Sequence, residues 1–180
     1  MPEELHVPTL REWGAVQSIK NHLKSGSYGA LSAVRFSVSR PCGRPISLFE
    51  TANALVDAGS FLADSAVVHL HVEKWESGAF ILVQHANETT SEIEINLALP
   101  NSMPGVYFAK AFCSGGILTN QPLCGFINAD GVLLATEKEC CLLEPGSGMQ
   151  PADELDIALY RAEYTHEPAA PDMGLKEFFL

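Results

Sequence analysis

The sequence predicts a mainly β protein, an antiparallel sandwich or barrel of about eight strands with two helices near its N-terminus; an α+β layer fold is the alternative. Three observations predict it. Several segments alternate apolar and polar residues: Val34, Phe36 and Val38 against Ala33, Arg35 and Ser37, and Ile93, Ile95, Leu97 and Leu99 against Glu92, Glu94, Asn96 and Ala98. That period of two marks a half-buried strand with one wet face. Turn signals such as Glu76-Ser77-Gly78 and Asn128-Ala129-Asp130-Gly131 join such runs as hairpins. Only two segments carry a helical period, and both lie before residue 60.

Taken in order, Thr9 to Leu23 predicts a helix, with Leu10, Trp13, Val16, Ile19 and Leu23 on one stripe and Gly14 as a weak point inside it. Leu31 to Ser39 is a strand. Ser47-Leu48-Phe49-Glu50 reads as a capping box opening a helix to about Ala58, stopped by Gly59. Strands follow at Val67–Trp75, Ala79–Ala86, Glu92–Leu99, Val106–Phe112, Leu123–Ile127, Val132–Thr136, Glu139–Leu143 and around Leu155–Tyr160. Residues 1–165 form one globular domain; residues 166–180 form an acidic, Pro-rich tail whose apolar end, Phe178-Phe179-Leu180, is either disordered or docked on a partner or a second copy.

With 180 residues and 47% hydrophobic content, the chain buries a core of ordinary size. Eleven Lys and Arg against 22 Asp and Glu give a net charge of −11, which disfavours nucleic acid and anionic membranes as partners. The five cysteines are odd in number and form no C-x-x-C, so neither a disulfide framework nor a structural zinc knuckle is indicated. No signal peptide or apolar span is visible, and the expected setting is the cytoplasm.

The segment Val67 to Trp75 places His69 and His71 two residues apart on a strand, hence on one face. If Glu76-Ser77-Gly78 is a three-residue loop with Gly78 in the left-handed conformation, Trp75 faces Ala79 and His69 faces His85. His69, His71 and His85 then cluster with Glu73 beside them, while Val68, Leu70, Val72, Phe80 and Leu82 form the core face. A two-residue turn flips the parity, brings Gln84 to the histidines and sends His85 away. Three imidazoles and an open position suit Zn or Fe, and would activate a water; no other cofactor is indicated. The alternative is three polar side chains on a wet sheet face, or a pH-sensitive patch. Trp75 and Glu73 are candidate ligand-binding residues, Trp75 through ring stacking.

His69-Leu70-His71 followed after four residues by Glu76 resembles a fragment of the first cupin motif. Ala63 and Val83 stand where that family has glycines, and no second motif follows Pro104-Gly105. Ala79 to Leu99 is similar in texture to accessory β-sandwich domains of carbohydrate-active enzymes. No Gly-rich phosphate loop and no G-x-S-x-G elbow occurs. Cys113-Ser114-Gly115-Gly116 offers a thiol without a base, and Glu73 with Glu94 or Asp130 a pair of carboxylates.

The function expected first is a non-catalytic β-rich protein that binds a small molecule or a protein partner, as a homo-oligomer. The second is a metal-dependent enzyme using His69, His71 and His85 on a β-hairpin. The third is a carbohydrate-associated sandwich module.

Overall fold

The computed structural model describes residues 10–42, 47–103, 105–121, 131–145 and 172–179. Among them are eight strands in one open mixed sheet, so the mainly β expectation holds, but the sheet neither closes into a barrel nor stacks on a second sheet. Helices cover one of its faces. The predicted strands at Leu123–Ile127 and Leu155–Tyr160, the Asn128-Ala129-Asp130 turn and Cys124 lie outside the described residues.

A single 3-10 turn, Leu10–Glu12, leads into helix α1, Gly14–Lys24. Trp13 is the N-cap, so Gly14 opens the helix and interrupts no interior turn, where its cost would fall. Val16 and Ile19 are fully buried, as their spacing predicts. Strand β1, Leu31–Pro41, follows. Helix α2 runs Leu48–Ala63, and the Ser47 side chain accepts the Glu50 amide hydrogen at 3.2 Å, the predicted cap. α2 does not stop at Gly59. A Cβ there would lie 2.8 Å from Ser91 Oγ, so the glycine serves close packing of the helix on the sheet. The actual stop is Asp64, held in the left-handed conformation at φ 54°.

Strands β2 (Val67–Trp75), β3 (Gly78–His85) and β4 (Thr90–Leu99) come next, then β5 (Val106–Cys113), β6 (Gly116–Thr119), β7 (Gly131–Ala135) and β8 (Cys140–Pro145). The spatial order is β2-β3-β4-β1-β5-β6-β7-β8. Every adjacent pair is antiparallel except β1 and β4, which are parallel with Phe36 opposite Ile93. Parallel neighbours need a long crossover. Here α2 and the β2–β3 hairpin supply it, and α2 lies back over β4, β1 and β3.

The core sits between the helices and this covered face. Val34, Phe36 and Val38 of β1, Ile81 and Val83 of β3, and Ile93 and Ile95 of β4 meet Ala52, Leu55, Val56 and Leu62 of α2. Arg11 ties the 3-10 turn to α2: its Nε donates to Asp57 Oδ2 at 2.7 Å and its Nη2 to Oδ1 at 2.5 Å, a two-bond grip on a buried carboxylate. That grip, ahead of the opposing effect of burial, raises the Arg11 pKa.

The C-terminal end docks on its own chain. Leu175 is fully buried, Phe179 packs 6.0 Å from the Phe49 ring, and Lys74 Nζ stands 5.4 Å over Phe179. Asn53 Oδ1 accepts the Met173 amide hydrogen at 2.9 Å, fastening residues 172–179 to α2, with the short helix α3 at Lys176–Phe179.

Neighbouring residues of β3 separate the two faces. Ile81 is fully buried and Leu82 is 39% exposed. Ile81→Ala is expected to lower unfolding stability by about 2–5 kcal/mol, and Leu82→Ala by under about 1 kcal/mol, measured by urea denaturation at low micromolar protein. Equal losses would contradict the assignment of faces.

Candidate functional site

The predicted site lies on the β2–β3 hairpin, and its register decides what assembles. Trp75 pairs with Gly78, so Glu76 and Ser77 form a two-residue turn. His69 therefore pairs with Gln84, His71 with Leu82 and Glu73 with Phe80. The parity is the flipped one. His69, His71, Glu73 and Trp75 share the uncovered face, whereas His85 pairs with Val67 and is buried on the helix side. The expected His69–His71–His85 cluster does not form. His71 Nε2 instead lies 3.3 Å from Glu73 Oε1, and among the described residues no group of three His, Cys, Asp or Glu side chains is placed to hold a metal. The expectation of a Zn or Fe site on the hairpin is corrected accordingly.

The reason is packing at Gly78. A Cβ at that position would lie 2.3 Å from the Ile95 carbonyl oxygen of β4 and 2.5 Å from the Trp75 ring. The glycine admits the close approach of β4 and the indole, and its φ is not left-handed. Ser77 reinforces the turn, its carbonyl oxygen accepting the Leu97 amide hydrogen at 2.7 Å. The one-residue shift also moves Phe80 and Leu82 out of the expected core and onto the uncovered face.

Cross-strand registers build that face row by row. One row reads His71, Leu82, Glu92, Arg35 and Lys110; the next reads Glu73, Phe80, Glu94, Ser37 and Phe108. Arg35 pairs with Glu92, its Nε donating to Oε2 at 2.7 Å, and its guanidinium lies 6.0 Å over the Phe112 ring. Both partners are substantially exposed, so the pair adds at most about 1 kcal/mol. Lys110 has its pKa lowered, first by burial and then by Arg35. Trp75, Phe80 and Leu82 are 46%, 37% and 39% exposed. The surface is apolar in patches and carries both signs of charge. It suits contact with another surface better than enclosure of a small molecule. Arg35, Lys110, Phe80 and Leu82 were not picked out by sequence; the alternation of β1 marked Arg35 as wet-facing, and a correct hairpin parity would have marked the two apolar residues.

The covered side holds polar groups of a structural kind. His85 Nε2 lies 2.8 Å from Ser91 Oγ beneath α2. Lys20 donates to the Phe61 carbonyl oxygen at 2.6 Å and stands 5.1 Å over the Phe61 ring. Arg40 is buried with its guanidinium 5.9 Å from the Tyr107 ring. Cys113 is partly buried, and burial raises its thiol pKa, the reverse of an activated nucleophile.

No family model and no curated protein matches the chain. Solved structures do match its fold. A Thermotoga maritima protein described as an oxidoreductase superposes with a TM-score of 0.60 at 14% identity, over 91% of this chain and 54% of that one. An oxidoreductase from Agrobacterium radiobacter, solved with NAD+, L-tartaric acid and magnesium, gives 0.57 at 15% identity, over 91% and 55%. A UDP-N-acetylglucosamine 3-dehydrogenase from Acidithiobacillus ferrooxidans gives 0.57 at 12% identity, over 86% and 52%. The chain thus spans about half the length of these proteins, and at such identities the likeness is one of fold. The expectation of a non-catalytic binding or assembly protein is corrected by this likeness to the extent that the structures named here, which share the fold, are described as oxidoreductases or a dehydrogenase. The open single sheet likewise replaces the carbohydrate-associated sandwich module.

Burial holds the His85 pKa below its ordinary value, and the Ser65 backbone opposes that shift. In the unfolded chain the imidazole takes its proton near pH 6.5; in the fold it does so only at lower pH. Its contribution is therefore intact above about pH 6.5 and lost as pH falls through that value toward the lower folded pKa. The urea midpoint should drop between about pH 7.5 and 5 by more in the wild type than in His85→Gln. An equal drop in both would contradict this role for His85.

Proposed function

We propose that this chain is the sheet-bearing half of a two-part oxidoreductase, one that oxidises a hydroxyl group on a small organic substrate and whose nicotinamide dinucleotide is held elsewhere. One observation carries the reading: nine-tenths of the chain superposes on about half of several oxidoreductases. The substrate class follows the neighbours, one solved with a hydroxy acid and another a sugar-nucleotide 3-dehydrogenase.

The residues of this chain do not fit a dinucleotide. A pyrophosphate needs a Gly-rich turn between a strand and a helix N-terminus. The sequence has no G-x-G-x-x-G, and the first turn of α2 carries the carboxylate of Glu50, which repels phosphate. The nicotinamide chemistry thus belongs to residues outside these 180 or to another chain. The part assigned here is mechanical: α1 and α2 stiffen the sheet, and the sheet presents a fixed surface. A cytoplasmic setting is in keeping with the free thiols of Cys42, Cys113 and Cys141.

Nicotinamide fluorescence tests the division. NADH titrated into these 180 residues should show no saturable binding. The product of the whole reading frame that encodes them, purified from its native cells with any tightly held partner, should bind NADH saturably and reduce NAD+ with a member of a polyol and hydroxy-acid panel. Micromolar NADH binding by the 180 residues alone overturns the division of labour. No NADH binding by the native material overturns the oxidoreductase reading.

A further inference from the structure

Residues 172–179 lie in a groove on the helical side of the sheet, between the N-terminal half of α2 and strand β2. We propose that this groove is a peptide site and that residues 172–179 are its occupant, a strap that leaves and returns while the rest of the fold stays intact. The inference is independent of the oxidoreductase reading, because it involves neither dinucleotide nor substrate.

The groove exists because α2 lies over β4, β1 and β3 and leaves the covered side of β2, an edge strand, to the strap. Leu70 and Lys74 of β2 are on that side, since they pair with Val83 and Ala79, both fully buried. A Cβ on Gly174 would lie 3.6 Å from Leu70 Cδ1. The Phe179 ring meets Phe49 of α2 at 6.0 Å and Lys74 Nζ at 5.4 Å. The strap thus bridges α2 and the edge of the sheet.

The contacts are those of helix-in-groove recognition. Leu175, Phe178 and Phe179 stand at i, i+3 and i+4, the spacing of neighbours on one helical face. Lys176 and Glu177 between them are exposed. Asn53, buried on α2, uses its Oδ1 to accept the Met173 amide hydrogen at 2.9 Å, so a side chain of the body reads the main chain of the strap. The strap also carries its own turn. Asp172 Oδ1 accepts the Gly174 amide hydrogen at 3.0 Å, Asp172 Oδ2 lies 3.3 Å from Lys176 Nζ, and Gly174 takes the left-handed φ of 84°.

What makes the strap reversible is how little holds it. Of its eight residues, Leu175 is fully buried and Met173, Phe178 and Phe179 are half-buried, while the other four are exposed. Ordering costs backbone entropy at every residue, whereas burial is gained at four. Its helix, Lys176–Phe179, is far shorter than one that holds itself in water. Segments with few buried apolar contacts open at a free energy below that of global unfolding. Strand β1, paired on both sides, opens only with the whole.

Native-state hydrogen exchange on the intact 180-residue chain tests the opening without a variant. The Met173 and Phe178 amides should be protected only about 30-fold, with no dependence on low urea, whereas the β1 amides around Phe36 should be protected at least ~10⁴-fold. Equal protection and equal urea dependence at both places overturns the strap. Fluorescence anisotropy with a labelled peptide of residues 172–180 tests the groove. A tethered segment acts at an effective concentration on the order of 1 mM, so the full chain carrying Leu175→Asp should bind the peptide with a dissociation constant of about 30 µM and the wild type about 30-fold more weakly. A peptide carrying the same Leu175→Asp change should not bind. Equal binding by the two chains, binding of the altered peptide, or no binding by a Leu175→Asp chain whose far-UV spectrum is unchanged overturns the groove as a peptide site.

Discussion

The structure depends on one packing contact: helix α2 laid across the parallel pair β1 and β4. Ala52, Leu55, Val56, Ala58 and Leu62 of the helix are buried to within 2% exposure, against Phe36, Ile93 and Ile95 below. Each large side chain so buried contributes roughly 1.5–3 kcal/mol. Small residues set the distance. Gly59 brings the helix backbone down onto Ser91, and a larger side chain there would have to displace the hydroxyl that His85 contacts. Because α2 returns the chain across the sheet, β4 arrives beside β1 pointing the same way, and the hairpin β2–β3 is carried to the outer edge.

From that contact follows the difference between the two faces. Among the described residues the helices, including the one within residues 172–179, are collected on one side. The other side keeps charges at Glu73, Glu92, Glu94, Arg35 and Lys110, with aromatic rings between them. His69 and His71 sit at the edge of this side on β2. They are two members of an expected three-histidine metal site whose third member, His85, lies against Ser91 under the helix. Their company, with Trp75 and Glu73, is that of a contact surface. An open sheet backed by helices on one side only is also what the chain shares with half of several oxidoreductases.

Local features were legible in the sequence because local physics decides them. The Ser47 cap, the stripe of Val16 and Ile19, and the alternation of β1 and β4 all appear where the residues place them. Three features were not legible, each because a distant residue decides it. Gly59 looked like a helix stop, and only Ser91, far along the chain, shows why it is a packing position. Gly78 looked like a left-handed turn residue, and the Ile95 carbonyl shows that it is a clearance instead. That substitution of one reason for another changed the turn length by one, and a shift of one moves every side chain of a strand to the opposite face. The parallel pairing of β1 with β4 is likewise invisible to alternation, which is the same for either direction.

Solution NMR tests the central claim most directly, through cross-strand contacts between backbone protons. The account predicts the parallel pattern between β1 and β4, with contacts linking the neighbourhoods of Phe36 and Ile93, and on the hairpin a contact from His69 to Gln84. An antiparallel pattern between β1 and β4, or His69 directly opposite His85, would contradict it.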